Sequence, residues 1–471
     1  MGKKKSVVLL VLISIVLVAL VFMSVASFAV PSTVKNFNSF LSVIDLGTDL
    51  GGGYQTVMYP EGVISAEEYE ELTEANDPSV SDYKAHKGVY LSSDWFSGQE
   101  LNAARVADFE TAVKTINERY ENKGFSDYNF HVQDDFTIVA GIPKTDEDPD
   151  NVFEKLVLSD KLVFKNSANS KELAGEEIVK SVEVQGMDNT WYVVLNFTKS
   201  GRGAFEEFTK DIASAASDSS KPSLYVYMGD EQLMNVQVSE AIDEKYVAIS
   251  GYTTESTAKT VAVVLETALD ADKIFEYSFT TSVAAEFEAT MGESAALIIA
   301  IAFGALIVAM AVAFIVRYKG MGVAHVYGFI TFAVIYIMCL ALIDGIQLSM
   351  GGVLAVLLAS IMCVACNLLI FKNIAEDFYS GKTVTSAVKS GYRKTIAFTI
   401  DIHAILLIAA LIVWLISSAT VKFVAMIFLL GVAISAATTL LFTRFYFYLL
   451  LSAAKNKIAF CNFKREELED E

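Results

Sequence analysis

Apolar residues run unbroken over residues 7–30, VVLLVLISIVLVALVFMSVASFAV, and nothing comparable follows until residue 295. At ~1.5 Å per residue such a run crosses a ~30 Å hydrocarbon core. Five more runs then come in quick succession, over residues 295–316, 323–343, about 353–371, 395–417 and 423–451. Arg317 and Lys319 end the first of these and Asp344 ends the second. The pattern predicts six spans. Ser27-Phe28-Ala29 resembles a signal-peptidase site, but the first run exceeds the ~7–15 residues of a signal core, so a retained anchor is expected.

The intervening block alternates shorter signals. Residues 62–100 read as polar and irregular. Residues 101–123 read as a helix, with Ala107, Phe109, Val113, Ile116 and Tyr120 near helical spacing. Strands are expected at 129–132 and 136–140, and a helix near 151–158. A second round follows: strand 191–197, helix 203–216, strands 223–228 and 246–249, helix 254–269. Strands alternating with helices suggest two small α+β units built on sheets. All six prolines fall within residues 31–290, and none lies in an apolar span.

Charge divides the chain in the same places. Residues 31–290 hold 46 Asp/Glu against 20 Lys/Arg, and the rest holds 10 against 16. An acidic block of this size argues against nucleic-acid binding, which needs basic surface. Cations also orient the spans. Lys3–Lys5, Arg317 with Lys319, the five cations of the 372–394 link and the Lys455, Lys457, Lys464, Arg465 tail alternate onto one side. Among the short loops of the other side only Lys422 dissents. Both termini are expected in the cytoplasm and the acidic block outside it. The four cysteines, Cys339, Cys363, Cys366 and Cys461, all lie outside that block, so no disulfide framework is expected there.

Candidate chemistry concentrates in residues 361–411: an apolar run, a polar link with Lys372, Lys382, Lys389, Arg393 and Lys394, and a second run holding Asp401 and His403. Ionisable groups at membrane depth mark ion or substrate pathways. Asp401 is either an interface carboxylate reaching water or a group that takes and releases protons. His403, two residues on, points away from it and is a second titrating group or a hydrogen-bonded packing histidine. Asn367 suits helix–helix hydrogen bonding. Cys363 and Cys366 form a CxxC inside a span and read as packing residues. His325, near the start of a span, receives no role. The glycines of residues 45–54 permit a tight turn, but no Lys-Ser/Thr follows to make a phosphate cradle. TDEDPD at 145–150 reads as a solvated loop and helix start, with a calcium loop the minor alternative. The sequon at Asn196 sits in an expected strand and carries little weight. No nucleophile–base set, P-loop or zinc signature occurs, so neither an enzyme nor a cofactor is expected.

Several stretches, in order, resemble SecD, the accessory subunit of the bacterial Sec export machinery and a branch of the RND transporter superfamily. DLGTDLGGGY at 45–54, with Asp45, Gly47, Asp49, Leu50, Gly51 and Gly52, is similar to that family's Gly-Leu-Asp-Leu-x-Gly-Gly opening after the first span. AVKTINERYENKGFSDYNFHVQDDFTIVAGIP at 112–143, FTKSGRGAFEEF at 197–208, SGYTTESTAKTVAVVLETALDADKI at 250–274 and TMGESA at 290–295 match further elements. GYRKTIAFTIDIHAILLIAAL at 391–411 resembles its fifth span, with Asp401 on the family's Asp, His403 on its Asn and Ile405-Leu406 on its Thr-Thr pair. In the fourth span the family reads Asp-Ala-Asn-x-Leu-Ile-Phe; here the matching residues are Ala365 to Phe371. Asn367, Ile370 and Phe371 remain, while the Asp that serves the family as proton relay is Ala365.

The resemblance implies a six-span, RND-like, multi-pass α-helical membrane protein with a large extracytoplasmic α+β domain of ferredoxin-like units. It implies residues 1–30 as cytoplasmic end and first helix, 31–290 as an external domain of base and inserted head, 291–453 as a five-helix bundle and 454–471 as a charged cytoplasmic tail. It further implies a SecF-like subunit, the Sec channel, unfolded exported polypeptide and the plasma-membrane bilayer as partners, and work drawn from protons crossing at the SecD–SecF interface. Alanine cannot titrate, so that work falls to Asp401, to His403 or to the partner. Two other outcomes stay open: an RND-like exporter of lipid or small molecules, and a proton-inert half paired with SecF.

Overall fold

The computed structural model describes residues 3–29, 36–125, 127–145, 147–159, 161–167, 171–188, 190–215, 222–229, 231–275, 277–343, 346–417 and 419–463. Asp344, Lys464 and Arg465, and with them residues 464–471 of the tail, lie outside the described residues. So does Asp146 of the acidic 145–150 run. The chain divides into two compact units: Met1–Gly52 with Glu288–Glu471, and Gly53–Phe287. Asn36 to Gly52, which the sequence groups with the acidic block, belong to the helical unit.

That unit holds α1 (Lys3–Val25), α2 (Ala295–Tyr318), α3 (Gly320–Leu342), α4 (Met350–Tyr379), α5 (Val384–Ile416) and α6 (Ala419–Ala437). A π-helical stretch, Thr438–Thr443, continues α6 into α7 (Arg444–Ala453). Six stretches are long and apolar enough to cross a membrane, which makes this a multi-pass membrane protein. α1 and α2 are apolar almost all round and exposed almost all round, with Val18 69% and Leu297 64% accessible. Exposed apolar surface of that extent suits a lipid environment.

The 372–394 link, expected as a polar loop, is helical apart from a short turn. α4 runs on to Tyr379 and α5 begins at Val384. Charge density hid an amphipathic hairpin. Ile374 and Phe378 on one side and Val384, Ala387, Val388 and Tyr392 on the other join one buried cluster, and the cations take the outer faces. Gly381 turns the chain at φ 98°, and the Thr383 side chain caps α5 by accepting from the Ser386 amide.

The Gly53–Phe287 unit is built on antiparallel sheets. Gly53–Pro60 lies centrally in the first, between Ile138–Pro143 and Phe279–Thr281, with Asn129–Val132 beyond. Ala103–Lys123 follows the first strand and Glu255–Thr267 precedes the last. Strand–helix–strand–strand–helix–strand with spatial order 4-1-3-2 is the ferredoxin-like arrangement. Inserted into it are a sheet around Leu162–Asn166 and Ser223–Met228 and another of Val179–Met187, Thr190–Phe197 and Tyr246–Tyr252. Residues 62–100 are not irregular. They hold Ala66–Glu74 and a small sheet of Val63–Ile64, Tyr83–His86 and Val89–Ser92. These strands are too short to show a period.

Two boundaries move for local reasons. The strand expected at 136–140 is Ile138–Pro143, because Phe136 adopts φ 67° in the preceding turn. The helix expected at 203–216 is Lys199–Ser214, because Thr198 caps it from the Gly201 amide. Gly201 is required there: a Cβ would stand 2.2 Å from the Ile178 carbonyl oxygen. The acidic 145–150 run serves caps and pairs. Asp148 caps Pro149–Leu156, Asp150 accepts from the Ala284 amide at 2.7 Å, and Glu147 pairs with Lys123. Among the described residues no acidic, His or Cys cluster could hold a metal.

Among the described residues the Lys123–Glu147 pair is the most buried charge pair of this unit, 2.9 Å apart with side chains 2% and 8% exposed. Burial pulls the Lys123 ammonium below its ordinary range, and Glu147 opposes that pull. Removing one partner of a buried pair leaves an uncompensated charge. Glu147→Gln is therefore expected to cost this unit about 3 kcal/mol, measured in the full chain by amide exchange along Ala103–Lys123. The sign with pH follows from linkage. Without Glu147 the folded state sheds the Lys123 proton before the unfolded state does, so the loss shrinks as pH rises toward about 10.4. A loss that does not change with pH would show Lys123 to be solvated.

Candidate functional site

The helical unit places its polar residues by a tight α4–α5 contact. Gly391 of α5 lies against Ile374 of α4, where a Cβ would come within 2.8 Å of the Ile374 amide nitrogen. Small residues let membrane helices approach this closely. One turn away, Asn373 Nδ2 donates to Thr395 Oγ1 at 2.7 Å. At the hairpin end, the nearly buried Asp377 carboxylate takes Lys394 at 2.6 Å and Lys382 at 3.0 Å. These contacts set the antiparallel register of the two helices.

That register carries Ala365 to the level of residues 401–403. Ala365 and Asp401 both lie on the exposed surface of the unit. Ala365 of α4 thus lies, one helix over, at about the depth of Asp401 on α5. Asp401 is not buried within this chain; it belongs to an outward face.

His403 belongs to the interior, 2% exposed. Its Nδ1 lies 2.7 Å from the Thr399 carbonyl oxygen and its Nε2 3.1 Å from Ser435 Oγ. A carbonyl only accepts, so Nδ1 carries the proton in the neutral ring and Ser435 donates to Nε2. The structure does not bring Asp401 and His403 together. One faces outward, and the other joins α5 to α6.

Asn367 is fully buried one helix away. Its Nδ2 donates to the Cys363 carbonyl at 2.8 Å and to Thr439 Oγ1 at 3.4 Å, and Cys363 Sγ stands 3.9 Å from Thr438 Oγ1 and 3.8 Å from that of Thr439. Thr438 and Thr439 open the π-helical stretch. The wider π turn occurs where functional sites interrupt helices, and nothing in the TTLLFT pattern announces it. Cys363 and Cys366 are free thiols, both buried. His325 is enclosed by Phe314, Phe329 and Phe371.

The glycine-rich loop is a joint. Asp45–Leu46 pairs in parallel with Gln347–Leu348, and the Gly47 amide donates to the Leu348 carbonyl at 3.0 Å. Asp49 then accepts from the Met350 amide at 2.6 Å, which caps the N-terminus of α4 and suits its dipole. The Asp49 carbonyl also accepts from Met291, just before α2. Leu50 is buried, and a Cβ on Gly51 would meet Leu46 Cβ at 2.9 Å. Gly52 takes φ 71°. The motif fastens the segment after the first span to the ends of two others.

No family profile matches the chain. Among curated proteins it is 25% identical over 366 residues to the protein translocase subunit SecDF of Bacillus subtilis (strain 168), which covers 73% of this chain and 47% of that protein. It is 24% identical over 353 residues to the subunit SecD of Acidaminococcus fermentans, covering 74% of this chain and 80% of that one. A crystal structure of SecDF in a super-membrane-facing form overlays 96% of the chain on 58% of its own at TM-score 0.58 and 17% identity. The chain is SecD-like. It spans about half the length of the SecDF relative and most of the SecD relative.

Asn367 separates two roles for the SecD-like interior. Interhelical amides in membranes contribute about 0.6 kcal/mol on average, and Asn367 Oδ1 has no protein partner among the described residues. Asn367→Leu is expected to change the unfolding free energy of the helical unit in detergent by about 1 kcal/mol or less. A loss above about 2 kcal/mol would make the amide a packing element.

Proposed function

We propose that this chain is the SecD-like half of a protein-export assembly of the bacterial plasma membrane. In this reading it performs no covalent chemistry. It holds emerging unfolded polypeptide with the Gly53–Phe287 unit outside the cytoplasm, keeps both termini inside, and works beside the Sec channel. A SecF-like half, on the same or a separate chain, supplies the surface that Ala365 and Asp401 face. What supports the reading is the collinear SecD likeness together with a fold that follows SecDF over nearly the whole chain. An RND-like exporter of lipid or small molecules has no comparable support.

The finer proposal concerns coupling. Asp401 takes over the proton-relay duty that Ala365 cannot perform. The observation carrying it is the shared depth of the two positions, each of them exposed. A carboxylate on such a face is costly in hydrocarbon and becomes tolerable against a polar or cationic group of the partner half. Protonation that differs between two states of the pair is what lets a gradient do work.

The test is protein export by cells carrying Asp401→Asn, with and without a proton gradient. Loss of at least ten-fold of the gradient-dependent component is expected, with the gradient-independent component intact. Ala365→Asp in that background should restore part of it, because the register puts the two carboxylates at one level. Unchanged gradient dependence in Asp401→Asn would leave this chain a proton-inert half.

A further inference from the structure

α5 repeats polar residues every fourth position on one buried face: Thr395, Thr399 and His403, rising from Gly391. The next fourth positions are Leu407, Leu411 and Leu415, of which Leu411 is 43% and Leu415 65% exposed, so the buried polar column ends at His403. From Gly391 to His403 it rises about 18 Å, at ~1.5 Å per residue.

The foot of the column is wet. Lys394 there is 55% exposed and bonded to Asp377. Above it Asn373 donates to Thr395, and Thr395 donates to the Gly391 carbonyl at 2.8 Å. At the top His403 bonds the Thr399 carbonyl and Ser435. Between these steps Thr399 Oγ1 is fully buried and has no hydrogen-bond partner among the described residues. A buried hydroxyl left without a protein partner is a place where a water can bond. Past His403 the interior is closed by Phe332, Tyr336, Ala359 and Ile427, one apolar cluster.

We infer that this column is a one-sided water path, open at the Asp377–Lys394 end, which delivers protons to His403 as its terminal group. Each hydroxyl or water along it accepts a proton on a lone pair and releases its own, so no charge remains on the way. His403 takes the proton at Nε2 while Nδ1–H stays on the Thr399 carbonyl, and Ser435 Oγ turns from donor to acceptor. The ring's side-chain partner is Ser435 of α6, which also bonds Cys363 of α4, and neither is charged. The charged groups along the path are Asp377, Lys382 and Lys394 at its foot, with Arg444 over the Tyr392 ring beside it. Asp401 is on the opposite face. The inference rests on the reading that this unit exchanges protons, and adds a second, internal group with access from one side.

The experiment uses the full chain in liposomes with nitrogen-labelled histidine, the His403 signals assigned by loss in His403→Gln. The pH is changed separately on each side between about 5 and 8. The ring is expected to follow the pH on the side of the Asp377–Lys394 turn alone. Thr399→Val should slow that response at least ten-fold, and Thr399→Ser should keep it. Asp401→Asn should leave it unchanged, so failure of the surface relay and failure of this path read out separately. A ring that follows the other side, follows both sides equally, titrates from neither, or ignores Thr399→Val overturns the inference.

Discussion

Everything in the helical unit depends on how closely α4 can approach α5. In hydrocarbon there is no water to satisfy stray polar groups and no hydrophobic drive between helices, so packing and internal hydrogen bonds decide the arrangement. Gly391 permits the approach, and Asp377 with its two lysines fixes it at the hairpin end. From that one register follow Asn373 on Thr395, Ala365 level with Asp401, and the stripe that ends at His403. A residue larger than glycine at 391 would shift all three together.

The same constraint explains the joint at Asp49. A span that begins with Met350 leaves free amides at its first turn. Two sources satisfy them: Ser349 accepts from Gly352, and Asp49, three hundred residues earlier in the chain, accepts from Met350. A local cap costs a helix little sequence. A cap borrowed from the segment following the first span ties two distant parts of the chain through one bond, with Leu46 and Gly51 packed too tightly for a Cβ between them.

Much of this was legible beforehand, for identifiable reasons. Six spans are visible because hydropathy over some twenty residues overwhelms any local signal. The long helix to Lys123 is visible because its apolar face repeats faithfully. The 372–394 hairpin was hidden by its lysines, which say only that one face is wet. The strands within residues 62–100 were hidden by their length. At the site, sequence could pick Asp401, His403 and Asn367 by chemistry, and two-residue spacing separated Asp401 from His403. It could not say which faced inward. Nor could it show the π turn at Thr438–Thr443, which belongs to the packing around Asn367. The threonines at 395 and 399 carry a sequence signal of their own, a four-residue polar repeat that ends at His403.

The two ionisable groups of α5 therefore answer to different surroundings. Asp401 stands on the exposed surface of the unit, where a carboxylate at membrane depth is costly. His403 stands where helices of this chain already satisfy both ring nitrogens. α4 presents Ala365 to the outer face and Asn367 to the interior, so a change at position 365 touches the outer face and leaves the polar interior around Asn367 in place.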